Sequence, residues 1–540
     1  MAKSFIAKNK LSLLFLFSLV IITYANSLNN VFLSDDLAEI VNNPNIGNFF
    51  SNIATHPLGF IRPLLYWLVF QIGGLNPALF RFTNILLHIG VVSLIFALFN
   101  LISSKRVAIF VAGIFAVHPA ISEAIVWISG GNYTLYSFFF LLSFFLYILS
   151  KNNKKYYWTS VLMYLFTFMS HLVMPLALFL VFPLWELAFG NFKKNWPKTI
   201  PFLLLTMVYL VNSLLAIPQR ETTLQSVHYQ SKGIDNPILL ITVAVTSYFE
   251  LIFYPKILTL YHSELSFSQI NFAIRLLITL TFLVGILVSF KKNKFVFFWS
   301  SFFLIALAPT LTPFRLNWVV AERYLYLPII GILGLVGLGF DKLSSIPKLK
   351  QVTYILFVVI LILLSARTII RNIDWENEDN LWIATGKTSP SSPNTHNNLG
   401  DVYGRRGDKL AALKEFQRAI EIKPNYGDAY HNLANTYKEL GQPDKALENY
   451  QNALKFNPNL WQSYQNIAAI YFEQKQYDLA LESLQKAVSV NPRNLNLRNN
   501  IGILYLLTGN KEKAKEIFTE VLSLDPNNQL ARQGLVEASK

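Results

Sequence analysis

The sequence predicts an all-α protein in two parts: a polytopic membrane helical domain of about eleven spans over residues 1–373, and a helical-repeat solenoid over 391–540, joined by a linker helix at 374–390. Three observations carry that reading. Apolar residues make up 53% of the 540 and aromatics 15%, a composition typical of polytopic membrane proteins. Charge is divided unevenly, with 27 Lys+Arg against 11 Asp+Glu in residues 1–373 and 19 against 20 in 374–540, so the formal +15 splits into +16 and −1. Proline returns at 390, 424, 458, 492 and 526, always 34 residues apart.

The basic excess sits in short clusters between apolar runs, which marks a topology signal rather than a nucleic-acid footprint. Cysteine is absent, which excludes disulfides, thiol catalysis and Cys-ligated metal. Lys3, Lys8 and Lys10 precede an apolar run at 11–25, and Asn26-Ser27-Leu28-Asn29-Asn30 offers no small-x-small cleavage site. This run is read as an uncleaved first span with a cytoplasmic N-terminus. Further apolar runs fall near 82–101, 107–120, 133–150, 157–171, 172–190, 198–217, 272–290, 295–312, 324–340 and 351–369. With eleven spans, the clusters Lys105-Arg106, Lys151/Lys154/Lys155, Lys193/Lys194/Lys198, Lys291/Lys292/Lys294 and Lys342/Lys348/Lys350 all fall on the N-terminal side, and the repeats lie outside. Counting 57–72 or 237–261 alone as a crossing inverts that alternation. These stretches, interrupted by Pro57, Pro63, Pro237 and Pro255, are read as re-entrant or interfacial on the outer face.

The outer loops then collect the ionisable residues that topology does not need. The first, 26–81, holds Asp35, Asp36, His56 and Arg62. A carboxylate pair just behind a span is costly against lipid, so it faces water, a partner or a substrate. Ser34-Asp35-Asp36 ahead of Leu37-Ala38-Glu39-Ile40 is also good helix-start chemistry, and both readings stay open. The second loop, 118–132, holds His118 and Glu123, five apart across Pro119, a spacing and ligand count that argue against a divalent metal. In the loop between the ninth and tenth spans, Arg315, Glu322 and Arg323 gather among aromatics. They form either an aromatic belt with a Glu322–Arg323 pair or an anion site, since Arg grips phosphate with a planar fork and keeps its charge.

From Pro390 the sequence repeats. One unit has Leu399-Gly400, Tyr403, Ala412, Phe416 and Ala419; the next has Leu433, Ala434, Tyr437, Ala446, Tyr450 and Ala453. The third has Ile467, Ala468, Tyr471, Ala480 and Ala487, and the fourth Ile501-Gly502, Tyr505, Ala514 and Phe518. This is the tetratricopeptide pattern: small residues let paired helices approach and aromatics fill the gaps between pairs. It predicts a solenoid whose concave face binds protein or peptide, with 527–540 as a capping helix. Trp375 and Trp382 mark a helix at 375–387 that would couple the array to the membrane domain.

Both parts in order resemble the transmembrane-and-TPR O-mannosyltransferase family, relatives of the protein O-mannosyltransferases within the C-type glycosyltransferase (GT-C) fold. The anchors are Ser34-Asp35-Asp36, Arg62-Pro63-Leu64, Asn84-Ile85-Leu86-Leu87-His88, His118-Pro119 with Glu123-Ala124, Ala321-Glu322-Arg323-Tyr324-Leu325-Tyr326-Leu327-Pro328 and Asp374-Trp375-Glu376-Asn377-Glu378. The resemblance implies a multi-pass plasma-membrane enzyme that takes a sugar, mannose favoured, from a polyprenyl-phosphate donor in the membrane lipid. The sugar would pass to a hydroxyl on the outer side. By the same resemblance Asp35 or Asp36 is the base and the other orients it, while Arg323 and Arg315 hold the lipid phosphate. His118 and Glu123 would shape the acceptor or sugar site, with Arg62, Glu322 and Tyr326 in the same substrate-binding set. No cofactor beyond the donor, no divalent metal and no nucleic acid is expected. Gly130-Gly131-Asn132 stands where the family tends to have Gly-Arg, and Ser170-His171-Leu172 where it has Lys-Glu; a protonated His171 would stand in for the lost cation. The alternatives are the same chemistry on a polysaccharide or lipid acceptor, and a non-catalytic anchor whose repeats scaffold envelope proteins.

Overall fold

The computed structural model describes residues 2–54, 57–151, 153–215, 237–265, 267–311 and 319–540. They form two compact units, Met1–Ser389 and Pro390–Lys540.

The described parts of the apolar runs of the first unit fall largely on helices. Among the described residues six helices are long and apolar enough to cross a membrane: Phe5–Asn29, Pro77–Ile102, Gly131–Leu149, Phe192–Leu215, Gln269–Lys292 and Lys350–Asp374. Met174–Ala188, Leu239–Phe253 and Lys294–Thr310 are shorter apolar helices. The run at 107–120 becomes Lys105–Val117, a 13-residue helix buried on nearly every side. Several helices begin with lysine, the wrong charge for a helix N-terminus. Local capping offsets this: Ser104 accepts from Val107 N at 3.2 Å, Asn153 from Lys155 N at 2.8 Å and Asn293 from Phe295 N at 3.1 Å. Arg106 and Asp341 meet at 2.8 Å, placing the Lys105-Arg106 and Lys342 clusters at one end of the bundle.

The opposite end is built from loops. The 57–72 stretch contains the helix Ile61–Gly73, and 237–261 becomes the helix Pro237–Phe253 followed by an irregular segment. Past Asp374 the chain turns at Trp375 into the helix Glu378–Thr388, capped by Asn377. Trp375 stacks on Trp127 with centroids 6.0 Å apart, and Trp382 on Tyr261 at 5.9 Å, so this linker helix is part of the first unit.

The second unit is four antiparallel helix pairs and a final helix. The pairs are Pro393–Arg405 with Lys409–Ile422, Gly427–Glu439 with Pro443–Phe456, Trp461–Glu473 with Tyr477–Val490, and Leu495–Leu507 with Lys511–Leu524. Gln529–Ser539 lies within the expected cap. The repeated alanines are buried, among them Ala412, Ala446, Ala480 and Ala514. Each turn within a pair needs one left-handed residue, at Gly407, Gly441, Lys475 and Gly509, again 34 apart.

Candidate functional site

The site is built at the loop-bearing end of the first unit, where the loops are tied together. Arg81, fully buried at the start of Pro77–Ile102, donates from Nε to Val126 O (2.7 Å), from Nη1 to Asn30 O (2.6 Å) and from Nη2 to Val31 O (3.0 Å). One guanidinium thus joins the first loop to the second. One turn further on, Asn84 Nδ2 faces the carbonyls of Ile125, Trp127 and Ile128, each at 3.3 Å. Gly131 must be glycine for this packing, since a Cβ there would stand 2.1 Å from Asn84 Oδ1. The second loop is therefore fixed, and Ser129 with it.

Ser129 meets the aspartate pair. Asp36 is completely buried: its Oδ1 accepts from Ser129 N (2.8 Å) and Ser129 Oγ (2.5 Å), and its Oδ2 from Leu33 N (3.1 Å). Burial outweighs these donors and the nearby Arg81, and pushes the Asp36 carboxyl up from 3.8 to about 6. The clasp closes a turn in which Ser34 adopts φ +51, a left-handed conformation that costs a non-glycine residue roughly 1–3 kcal/mol. Asp35, beside it, is exposed. The two carboxylates thus have different positions: Asp36 holds the turn and Asp35 is presented by it.

Two arginines on these loops are each paired with a carboxylate. Arg62 bonds Glu39 at 2.5 Å and lies within electrostatic reach of Asp35. Arg323 bonds Glu123 twice, Nη1 to Oε1 at 2.5 Å and backbone N to Oε2 at 2.9 Å, with its guanidinium near the Trp127 and Tyr324 rings. Burial pushes the Tyr261 hydroxyl up, and Arg323, Asp35 and Glu123 all lie within electrostatic reach of it.

Other residues chosen from the sequence turn inward. Glu322 does not pair with Arg323. It is buried, accepts from Thr259 N and from Arg371 Nη2 (3.2 and 3.3 Å), and anchors the last long helix to the loops. Burial pushes its carboxyl up, with Arg371 opposing. For His118 the sequence expectation is corrected, because both ring nitrogens are engaged by backbone: Nδ1 accepts from Ala120 N at 3.2 Å and Nε2 bonds Ile252 O at 3.0 Å. Tyr326 is likewise a core residue, its hydroxyl 2.7 Å from His88 Nδ1. His171 Nδ1 accepts from Val173 N and Met174 N, both at 3.3 Å. Arg315 and His56 lie outside the described residues. Among the described residues no three His, Asp or Glu side chains gather as a metal site would require. Arg81, Ser129 and Arg371 escape sequence reasoning; the one legible signal is a charged residue at the edge of an apolar run, which fits Arg81 and Arg371.

Beside Arg62 a cavity of about 430 Å³ opens, lined also by Asn132, Ser170, His171 and Asn212. The two stretches that depart from the family's pattern thus face one space.

Tetratricopeptide families match the second unit, over residues 427–460 and 459–527 as "Tetratricopeptide repeat" and 405–441 as "TPR repeat". Over most of its length the chain is similar to proteins named protein O-mannosyl-transferase. Identity to F38B6.6 of Caenorhabditis elegans is 26%, covering 77% of this chain and 63% of that one. Identity to TMTC3 of Homo sapiens is 27%, covering 74% and 50%, and to human TMTC4 26%, covering 74% and 64%. The chain thus spans between half and two thirds of the length of these relatives. Among solved structures, YrrB, titled a TPR protein with an unusual peptide-binding site, aligns at 22% identity over 36% of this chain and 96% of its own, with a TM-score of 0.25.

Proposed function

We propose that this protein is a membrane glycosyltransferase that moves a sugar, mannose first among candidates, from a polyprenyl-phosphate donor to a hydroxyl on an acceptor protein at the loop-bearing outer face. The repeats capture the acceptor or a partner. What carries the reading is the division of labour in the aspartate pair: an exposed Asp35 presented by a strained turn that a buried Asp36 clasps to Ser129. The relatives' names supply the transferred sugar and the protein acceptor.

In this mechanism Asp35 takes the proton of the acceptor hydroxyl as its oxygen attacks the anomeric carbon. The bond from that carbon to the phosphate oxygen breaks, and polyprenyl phosphate leaves with the electron pair. Phosphate is a good leaving group, so no acid is needed, only positive charge where the charge develops. Arg323 supplies it: Glu123 holds one edge of the guanidinium, and its side chain remains 12% exposed. Arg62, paired with Glu39, lies within electrostatic reach of Asp35.

The test is sugar release and transfer from polyprenyl-phosphate mannose by the purified chain. Asp35→Asn should abolish turnover while the protein stays folded and binds donor as before. Undiminished turnover in a folded Asp35→Asn variant would refute Asp35 as base. If no donor in a panel of polyprenyl-phosphate sugars is used, the scaffold alternative replaces the enzyme.

A further inference from the structure

A second cavity, of about 380 Å³, opens between the helices Pro237–Phe253 and Gln269–Lys292 and the irregular segment that follows the first of them. It lies at the end of Gln269–Lys292 opposite Lys291 and Lys292, and Thr388 of the linker helix also lines it. Apolar side chains point outward around it: Phe253, Ile270, Ile274 and Leu277 are exposed on the two helices, as are Tyr254 and Ile257 just past the first. On a membrane protein such a surface meets lipid, and a tyrosine at its rim marks the headgroup level.

Charged groups are costly at such a surface unless they are paired. Arg275, in the second turn of its helix, is fully engaged: it donates to Glu250 Oε1 at 2.6 Å, to Thr246 Oγ1 at 2.9 Å and to Asn271 Oδ1 at 3.2 Å, with its guanidinium 4.0 Å from the Phe267 ring centre. Glu250 is only half used. Its side chain is 61% exposed, and beyond the bond from Arg275 to Oε1 it makes no hydrogen bond among the described residues. Lys256 is exposed, and its ammonium has no hydrogen bond or ion pair among the described residues, while Arg367 pins its backbone by donating to Lys256 O at 3.3 Å. Ser263, buried, gives its hydroxyl proton to Glu264 at 2.9 Å, so its oxygen is left to accept. His262 Nε2 is buried and unbonded among the described residues, 3.9 Å from Glu322 Oε1 and beyond hydrogen-bond reach.

The lining therefore holds two cations, Lys256 and Arg275, and two carboxylates, Glu250 and Glu264, with spare capacity of both signs. A purely anionic headgroup would satisfy Lys256 and leave Glu250 as it is. A group carrying a phosphate and a primary ammonium satisfies both, and an ammonium can donate to the Ser263 oxygen where a quaternary amine cannot. We infer that this cavity seats the headgroup of a phosphoethanolamine-type lipid, with the phosphate against Lys256 and the ammonium against Glu250 and Ser263, and the acyl chains along the exposed apolar face of Gln269–Lys292. The site is separate from the proposed sugar transfer and stands whether or not that reading does.

The experiment titrates the delipidated full chain in detergent with phosphatidylethanolamine, phosphatidylcholine and phosphatidylglycerol of identical acyl chains, counting bound lipid by native mass spectrometry. The wild type should bind phosphatidylethanolamine at least fivefold tighter than either of the others. Lys256→Met, at an exposed position, should weaken phosphatidylethanolamine binding about tenfold. Glu250→Gln should bring phosphatidylethanolamine down to the level of phosphatidylcholine. Ser263→Ala, which keeps the Glu250–Arg275 pair, should lower the same ratio and covers the case in which Glu250→Gln fails to fold. Equal binding of the three lipids, a preference for phosphatidylglycerol, or folded variants that bind as the wild type does overturns the inference. So does displacement of phosphatidylethanolamine by equimolar polyprenyl phosphate, which would make the cavity a general lipid-phosphate site.

Discussion

Asp36→Asn separates the two aspartates by pH. In the native protein the Asp36 carboxyl is moved from 3.8 to about 6, chiefly because it is buried, with three hydrogen-bond donors and Arg81 recovering only part of the cost. A carboxyl so displaced holds its proton more tightly in the folded than in the unfolded state. Its contribution to stability is therefore complete below about pH 4 and is lost as pH rises through about 6. At 1.36 kcal/mol per pH unit the displacement corresponds to about 3 kcal/mol. Asparagine copies the shape of the protonated acid and cannot ionise, so the variant should lack this segment of the stability profile. The quantity to read is the wild-type minus variant difference in unfolding free energy, from denaturation in detergent at pH 4 and pH 7.5. It should shift by about 3 kcal/mol in the variant's favour on going to the higher pH. A difference that stays constant across that range would show that Asp36 ionises in the fold as freely as in water, and would remove the argument that its role is to clasp the turn. Asp35→Asn, at an exposed position, should eliminate turnover while the protein stays folded.

Three further outcomes follow from the geometry. Arg371→Met leaves Glu322 buried without its cation and should cost about 3–5 kcal/mol, measured as lost thermal stability; adding Glu322→Gln should restore most of it. Arg323→Lys keeps the charge but not the planar fork that Glu123 grips, and should raise the donor KM about tenfold with little change in folding, read from steady-state transfer. Lys475→Gly should stabilise the repeat unit by about 1 kcal/mol, because Lys475 alone among the four matching turn positions holds a left-handed conformation with a side chain, and thermal unfolding of residues 390–540 would show it.

What the sequence could convey follows from which interactions are periodic. The repeat unit was almost fully legible, because each helix pair meets its neighbours through the same positions every 34 residues, and the buried alanines and aromatics recur where the pattern requires. The apolar runs were legible as helices for the same reason, since hydropathy is a local property. The site is held together by contacts that no local pattern announces. Glu322 and Arg323 are adjacent in sequence and invite a pairing, yet successive residues in a tight turn point apart, and each finds its partner far along the chain: Arg371 for Glu322, Glu123 for Arg323. The family resemblance put His118 and Tyr326 among the substrate-binding residues, but a buried polar group must be hydrogen-bonded somewhere, and the Ile252 carbonyl and His88 satisfy them inside the fold. The aspartate pair shows where the boundary lies. The sequence marked both residues and left open which one is presented, because that depends on Ser129, 93 positions away, whose backbone and hydroxyl take Asp36 out of play. Three donors engage the Asp36 carboxylate inside the fold while Asp35 beside it stays exposed, and on that contrast the proposal names Asp35 as the base.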